Sequence, residues 1–565
     1  MTTSVPWWQN GVIYQIYPKS FQDSTGNGVG DIRGIISRLD YLRRLGVDAI
    51  WITPVYLSPQ VDNGYDVAGY CVIDPAYGTM ADMEKLIAEA HQRRIRILMD
   101  MVFNHTSTQH CWFQAAQERR SAYRHFYIWR DGDGDDKAPP NNWRAKCGDS
   151  AWQWHAASQQ YYLHLFTTEQ ADLNWEHPRV RGALKKVCEF WADKGIDGLR
   201  LNAINLISKH PDFPDDEQGG GERYYTDGPR IHDYLQEFSQ EVFQPRGLMT
   251  AGDMLSASLE HARRYAALDG SELSMICNFQ HLEIDYANGE KQALTKPDFI
   301  KLKQIMNRWQ QGMHQHAWNS LFWCNHNHPR IVSRFGDEGE FRVQSAKMLA
   351  MILHGMQGTP YIYQGEEIGM TNPGDTTLSQ YQEAESLNRV AERHDGAPSD
   401  EQPQAILAAP SCDNSRTPMQ WNNSKNAGFT AGVPWLQPCE NYPHINTEQA
   451  LADQNSVFYT YQQLIMMRKT LPLVTHGNYQ DLLPDHPSIW CYQRCWNGQR
   501  LLVLANLAKQ PQHWQPSPVI ITDCRRWRLL MSNYADAAVH PATLTLRAFE
   551  AIYWVQGIAE KEDKV

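Results

Sequence analysis

The sequence predicts an α/β protein in which a TIM (β/α)8 barrel carries an inserted loop domain after strand three and precedes a C-terminal antiparallel β domain. Short apolar runs alternate with amphipathic stretches about eight times, an irregular segment interrupts the alternation after the third run, and short strands predominate after about Leu471. We expect the barrel to take residues 1–104 and 173–470, the inserted subdomain residues 105–172, and a C-terminal β-sandwich domain residues 471–565.

The barrel strands are predicted where β-branched or aromatic runs are bounded by Gly, Pro or polar residues. These runs are Val12–Pro18, Ala49–Val55, Arg96–Phe103, Gly198–Ile204, Gly247–Asp253, Glu272–Phe279, Asn319–His326 and Thr359–Glu367. Between them, apolar residues recur at helical spacing, as Ile35, Leu39 and Leu42 do. The helices predicted from this spacing are Ile32–Leu45, Met83–Arg93, Val180–Lys194, Ile231–Phe243 and Phe299–Gly312.

Two irregular segments lie outside the alternating pattern, and short strands predominate in the C-terminal domain. The insert is aromatic, polar and rich in Gly and Pro, as in 131–136 and 139–142, and a second irregular stretch, 371–446, follows the eighth run. The strands predicted for the C-terminal β domain are Ser488–Gln493, Arg500–Asn506, Trp527–Asn533 and Ala548–Val555.

Composition limits the classes of function. The 565 residues are 42% hydrophobic and 21% charged, which predicts a large folded core. With 52 basic and 64 acidic residues the formal net charge is −12, so a basic nucleic-acid footprint is absent. No apolar run suits a membrane span or a secretory signal, and the 11 scattered cysteines fit a reduced, cytoplasmic protein. We therefore expect a small-molecule ligand, no nucleic acid and no membrane, and the sequence leaves a protein partner open.

Polar side chains gather where the predicted strands end, which is the face that carries active sites in such barrels. They are Asp100, Asn104, His105, Arg200, Asn202, Asp253, Asn325, His326 and Asn327, together with the loop Asp62–Asp66 after the second strand. The strand starts are apolar, so this end of the barrel is the predicted site.

Four of these segments resemble, in order, the signature regions of the α-amylase family of glycoside hydrolases. They are Asp100-Met-Val-Phe-Asn-His105, Gly198-Leu-Arg-Leu-Asn202, Ala251-Gly-Asp253-Met and Asn325-His-Asn327. Further segments are typical of its oligo-α-glucosidase branch: Ala171–Trp175, Gln364-Gly-Glu-Glu-Ile-Gly369 and Asp413–Trp421. The segments 7–21, 104–109 and 224–230 resemble the members that act on trehalose 6-phosphate. The resemblance implies retaining hydrolysis of an α-glucoside, trehalose 6-phosphate or a related disaccharide.

The resemblance also implies that three catalytic positions are substituted. Retaining hydrolysis uses a carboxylate nucleophile and a carboxylic acid. The family expects Asp, Glu and Asp where this chain has Asn202, Asp253 and Asn327. An amide is a poor nucleophile, Asp is one methylene shorter than Glu, and Asn327 keeps the size of Asp while losing its charge. Hydrolysis is therefore expected to be abolished or strongly impaired.

The shell around these positions is kept. By resemblance, Asp66, His105, Arg200 and His326 hydrogen-bond the nonreducing glucose, and Arg416, in the segment 413–421, belongs to the same shell. Lys291 matches one of two lysines that contact the substrate phosphate. Glu283 stands at the other lysine position, where a carboxylate would repel phosphate unless it is a solvated surface charge.

No cofactor is required for this chemistry, and the sequence leaves a structural calcium ion open. Oxygen ligands recur at Asp23, Thr25, Asn27, Val29 and Asp31, as in a calcium loop. A plain Gly-rich turn explains the same segment, because only two of these residues are charged.

Three hypotheses for the whole protein follow. The first is a catalytically deficient glucoside-binding protein with a sensing or regulatory role. The second is a working α-glucosidase with reduced or altered chemistry. The third is a scaffold without a ligand, which the retained shell argues against.

Overall fold

The structure is a computed structural model that describes residues 5–134, 137–146, 148–254, 256–286, 294–374, 411–518, 521 and 523–558. The chain divides into two compact units. The first unit comprises Val29–Leu39 and Ala49–Phe279, and the second comprises Met1–Gly28, Asp40–Asp48 and Gln280–Val565. Between them they hold the eight parallel strands of a (β/α)8 barrel, followed by an antiparallel β domain, so the predicted fold class is confirmed.

The first unit contains five of the barrel strands. Their order in the sheet is Met275–Cys277, Met249–Asp253, Gly198–Asn202, Arg96–Val102 and Ala49–Ile52. Each lies inside a predicted run. The parallel register sets Arg200 beside Asp100 on one neighbouring strand and beside Ala251 on the other. This pairing brings the ends of the strands, and the polar side chains there, to one edge of the sheet.

Helices of the first unit follow the predicted spacing with shifted ends. They are Ile32–Ser37, Met80–Gln92, Cys111–Ala116, Pro178–Asp193, Glu222–Tyr225, Ile231–Phe238 and Leu259–Tyr265. The predicted helix Met83–Arg93 begins earlier because Thr79 and Asp82 form a reciprocal capping box. The predicted helix Ile231–Phe243 changes to a π-helical turn at Ser239–Phe243.

The irregular segment of the first unit has more order than the sequence indicated. It contains the strands His105–Ser107, Trp129–Arg130, Trp152–His155, Gln160–Leu163 and Gln170–Asp172, and a hairpin before it pairs Tyr56–Leu57 with Gly69–Ile73. Three of these strands form an antiparallel sheet. Buried Trp143 and Trp152 pack with Leu163, Leu206 and Tyr225 in a local core. The subdomain bounds 105–172 stay a prediction.

The second unit contains the other three barrel strands, Ile13–Ile16, Thr359–Tyr363 and Ser320–Leu321. Its helices are Trp7–Asn10, Leu39–Leu45, Phe299–Met313, Ile331–Phe335, Arg342–His354, Asp413–Arg416, Thr447–Ala452, Val457–Thr470 and Pro472–His476. One predicted helix, Ile32–Leu45, is two helices in the structure, because the first ends at Arg38 with bonds to the carbonyls of Ile35 and Ile36.

The C-terminal part of the second unit forms an antiparallel sheet in the order Asn478–Asp481, Ile489–Trp496, Gln499–Asn506, Ala551–Gln556 and Arg528–Ser532. A second pair joins Gln512–Trp514 to Leu544–Leu546. Trp514, Trp527 and Trp554 share a buried core with residues of the larger sheet. All four predicted strands are present with shifted ends. No helix among the described residues is long and apolar enough to cross a membrane.

A buried carboxyl follows the last barrel strand, in the predicted motif Gln364–Gly369. The Tyr461 hydroxyl donates to Glu366 Oε1 at 2.7 Å, and the side chain of Glu366 is buried. Burial is the main reason that the pKa of Glu366 rises to about 7. The folded chain therefore holds a proton here over a pH range in which the unfolded chain has released it.

This proton makes stability depend on pH. The pKa of Glu366 is raised on folding, so its contribution to stability should fall as pH rises from about 4.5 to about 7, by up to about 3 kcal/mol. Glu366→Gln, which stays neutral, should flatten this part of the profile. Urea unfolding from pH 5 to pH 8 measures it, with exposed Glu340→Gln as the matched control. Parallel profiles for all three proteins would contradict the prediction.

Candidate functional site

A buried guanidinium joins two buried carboxyl groups at the strand ends of the first unit. Arg200 Nη1 donates to Asp100 Oδ1 at 3.0 Å, and Arg200 Nη2 donates to Asp253 Oδ2 at 2.5 Å. Asp100 also accepts bonds from Tyr65 Oη at 3.0 Å and Trp51 Nε1 at 3.1 Å. The structure thus brings together the predicted residues Arg200 and Asp253. Trp51 was missed, because its position in the second strand looks like ordinary core.

Two carboxyl groups share this one cation. Burial raises the pKa of both Asp100 and Asp253, and the positive charge of Arg200 opposes each rise. A hydrogen bond from the backbone of Ala203 also lowers the pKa of Asp253, but by less than burial raises it. A buried carboxyl with a raised pKa is suited to hold and release a proton. A general-acid role for Asp253, whose side chain is short, stays a prediction.

Asn202 ends the fourth barrel strand and is only partly buried. The next residue, Ala203, has φ 44° and ψ 39°, a left-handed conformation that is strained for a residue with a Cβ. The chain therefore turns sharply after Asn202 and leaves its amide at the end of the strand. An amide oxygen carries no charge to attack an anomeric carbon or to stabilise an oxocarbenium ion.

His105 is fully buried beside the loop Asp62–Asp66 that follows the second strand. Gln170 Nε2 lies 3.1 Å from His105 Nε2 and 2.9 Å from Asp62 Oδ2. Burial lowers the pKa of His105 to about 4, so its imidazole is neutral near pH 7. Sequence reasoning missed Gln170, which follows no strand that the pattern predicted.

Asp66, predicted to contact the sugar, has its carboxylate occupied by its own loop. It accepts bonds from Ser58 Oγ at 2.9 Å, Val61 N at 2.9 Å and Asp62 N at 3.0 Å, and it is 0% exposed. These bonds fix the shape of the loop. Asp62 in the same loop is partly exposed. Sugar contact by Asp66 stays a prediction.

The second unit holds the other predicted residues. Arg416 Nη2 donates to Asn327 Oδ1 at 2.9 Å, and Arg416 Nε donates to the His326 carbonyl at 2.9 Å. The ring of His326 stacks on Tyr17 at 5.8 Å, and its Nδ1 lies 2.8 Å from Gln15 Nε2. His326, Asn327 and Arg416 thus lie in contact within this unit, and their contact with a sugar stays a prediction. Gln15 and Tyr17 were missed, although they end the first predicted strand.

The predicted phosphate contacts are only partly described. Lys291 lies outside the described residues, so its role stays a prediction. Glu283 is exposed, which agrees with the solvated-charge interpretation that the sequence left open.

The predicted calcium loop uses its two carboxylates for local bonds. Asp23 accepts bonds from Thr25 N and Gly26 N at 2.8 Å and from Thr430 Oγ1 at 2.5 Å. Asp31 caps the helix Ile32–Ser37 by accepting from Gly34 N at 2.7 Å. No cluster of three or more His, Cys, Asp or Glu in the described ranges is arranged to hold a metal ion. These bonds favour the turn, and calcium binding by Asp23, Thr25, Asn27, Val29 and Asp31 stays a prediction.

The chain matches the family described as alpha amylase, catalytic domain, over residues 15–477. This protein therefore belongs to the α-amylase family of glycoside hydrolases. It is 64% identical over 557 residues to the trehalose-6-phosphate hydrolase of Escherichia coli (strain K12), covering 98% of this chain and 100% of that protein. The trehalose-6-phosphate hydrolase of Bacillus subtilis (strain 168) is 50% identical over 555 residues, covering 98% and 99%.

Solved structures agree with this similarity. The crystal structure of Bacillus licheniformis trehalose-6-phosphate hydrolase superposes with a TM-score of 0.94 at 49% identity, covering 98% of this chain and 100% of that one. The predicted resemblance to the family is thus confirmed. The close likeness to trehalose-6-phosphate hydrolases is confirmed as a similarity.

Proposed function

We propose that this protein binds an α-glucosyl disaccharide of the trehalose 6-phosphate class and hydrolyses it slowly or not at all. The substrate class is supported by the similarity to trehalose-6-phosphate hydrolases over nearly the whole chain. The loss of rate is supported by one observation: an amide, Asn202, stands where the fourth barrel strand ends. Retaining hydrolysis needs a carboxylate nucleophile, and Asn202 cannot form the covalent intermediate.

The contacts of Arg200 support an altered centre. The two Nη groups of Arg200 donate hydrogen bonds to Asp100 and Asp253. In this arrangement the guanidinium neutralises the acid Asp253 as well as the structural Asp100. The shell residues remain polar and mostly buried, which suits recognition of sugar hydroxyls. Binding would therefore survive better than turnover. The chemistry that these side chains offer calls for no cofactor.

A working hydrolase is the second candidate, and the comparisons favour it more directly. The relatives named above are hydrolases by name, at up to 64% identity in the reported set. Asp253 also retains a carboxyl whose pKa is raised by burial. In this version another carboxylate, or an attacking water, would replace the missing nucleophile.

Titration calorimetry separates the two candidates. Trehalose 6-phosphate, trehalose and isomaltose are each titrated into the purified protein. The proposal predicts a saturable binding isotherm for at least one of them, with no heat after each injection has equilibrated. A working hydrolase gives a sustained heat signal that ends only when the sugar is consumed. No binding of any sugar at millimolar concentration would contradict both candidates and favour a scaffold.

A further inference from the structure

A cavity in the first unit is lined by residues of the segments 124–130, 174–176 and 207–213, together with Gln160. Its volume is about 470 Å³, within the range of small-ligand sites. The residues that matter for its chemistry are Arg124, Trp129, Arg130, Asn174, Glu176 and Lys209. None of the residues in the Arg200 cluster lines it.

Two guanidinium groups in the wall have no carboxylate partner. Arg124 is 5% exposed and donates to the carbonyl of Ala116 at 2.8 Å and to the side chain of Gln160. Arg130 donates to the carbonyl of Trp129 at 3.0 Å. Neither arginine forms an ion pair with a carboxylate in the described ranges of the chain. Two positive charges at one cavity are therefore without a direct carboxylate contact.

The other two charged side chains named above, Lys209 and Glu176, form ion pairs with neighbouring residues. Lys209 pairs with Asp172 at 2.7 Å, and Glu176 pairs with Arg230 at 2.6 Å. Burial and the neighbouring Arg119 lower the pKa of Arg124 to about 10, and the carboxylate of Asp131 offsets this only in part. The cavity as a whole therefore has an excess of two cations.

The arginines are also held in place. The Arg124 guanidinium lies 3.5 Å from the ring centroid of Trp129, and that of Arg130 lies 4.4 Å from the ring centroid of Phe213. Stacking of this kind fixes the plane of a guanidinium, so less side-chain entropy is lost when it binds an anion. Both side chains keep N–H groups beyond those used in the bonds above. The wall thus holds guanidinium N–H groups in fixed positions, where they can donate hydrogen bonds to a bound anion.

The geometry points to a second ligand site in the first unit, which takes a small phosphate monoester such as a sugar phosphate. A phosphate monoester carries nearly two negative charges at neutral pH, which matches the two free guanidinium charges better than a single carboxylate does. The Asn174 amide, which can donate and accept, is suited to the hydroxyls of an attached sugar. This site is separate from the proposed α-glucoside pocket and does not depend on it.

Calorimetry with glucose 6-phosphate, inorganic phosphate and glucose tests this site. We expect glucose 6-phosphate to bind more tightly than glucose, which lacks the phosphate and can occupy only the α-glucoside pocket. Arg130→Gln, an exposed position that should fold normally, should weaken glucose 6-phosphate binding about tenfold or more. Arg119→Gln, which removes a nearby exposed arginine paired with Asp131, is the matched control and should change binding less than twofold. Trehalose binding should be equal in all three proteins.

Two results would overturn the site. Equal glucose 6-phosphate binding by Arg130→Gln and the unchanged protein would place the phosphate elsewhere, including in the α-glucoside pocket. Equal binding of glucose and glucose 6-phosphate would show that the arginines recognise no anion. Because Arg124 is buried and supports nearby carbonyls, Arg124→Gln is informative only together with its thermal unfolding curve, whereas Arg130→Gln decides the question alone.

Discussion

Restoring the family's three catalytic side chains in one chain, by Asn202→Asp, Asp253→Glu and Asn327→Asp, is expected to raise α-glucoside hydrolysis by on the order of 10⁴-fold or more. Asp at position 202 supplies the nucleophile. Glu at position 253 carries the proton donor about 1 Å further toward the leaving oxygen. Asp at position 327 would meet Arg416, which already donates to that side chain at 2.9 Å. Release of glucose from trehalose, isomaltose and trehalose 6-phosphate measures the gain.

The single reversion Asn202→Asp is the matched comparison and should recover only part of this gain. The neighbouring Arg200 should hold the new negative charge, but the acid would still be short. If Glu283 faces the phosphate, the triple variant should prefer non-phosphorylated α-glucosides until Glu283→Lys is added. A triple variant that folds, binds sugar and hydrolyses none of these substrates would show that the divergence extends beyond the three side chains.

Arg200→Gln is expected to lower the stability of the folded chain by about 3 kcal/mol near pH 8. Asp100 and Asp253 would then be two buried carboxyl groups without a cation. Since burial already raises the pKa of both, losing Arg200 should raise these values further and favour their protonated forms. The loss should therefore be smaller at pH 5 than at pH 8. Urea denaturation at the two pH values measures the difference.

Two further variants control this measurement. Arg200→Lys keeps a positive charge and should lose less stability than Arg200→Gln. Arg33→Gln removes an arginine whose side chain is 66% exposed and pairs with Asp82, so it should cost much less stability than Arg200→Gln. Equal losses for Arg33→Gln and Arg200→Gln would contradict a special role for the buried cluster.

Much of the barrel could be predicted from the sequence because its signals are local. Each of the eight strands is a short apolar run, and every observed strand lies within its predicted range. The ends of the helices and strands were harder to predict, because single residues determine them. Thr79 caps one helix before its predicted start, and a short 3-10 turn that begins at Pro18 follows the first strand. The insert was predicted as irregular because its short strands alternate aromatic and polar residues without a long periodic pattern.

The candidate site was predictable in its residues but less so in their contacts. The sequence placed Arg200 and Asp253 at strand ends, and the register explains why they meet. It could not show that Asp66 uses its carboxylate on its own loop, because hydrogen bonds of that kind depend on the folded path of the loop. It also gave no sign of Trp51 or Gln170, whose side chains resemble ordinary buried residues until their partners are known.

The most direct test is the turnover of trehalose 6-phosphate by the unchanged protein, followed as glucose release at saturating substrate. The account predicts a turnover number at least about 10⁴-fold below the 1–10³ per second of ordinary enzymes, together with measurable sugar binding. The triple variant, assayed in parallel on trehalose and isomaltose as well, shows that the preparation and the assay can report hydrolysis. Turnover by the unchanged protein at about 1 per second or faster would contradict the account and establish the working hydrolase.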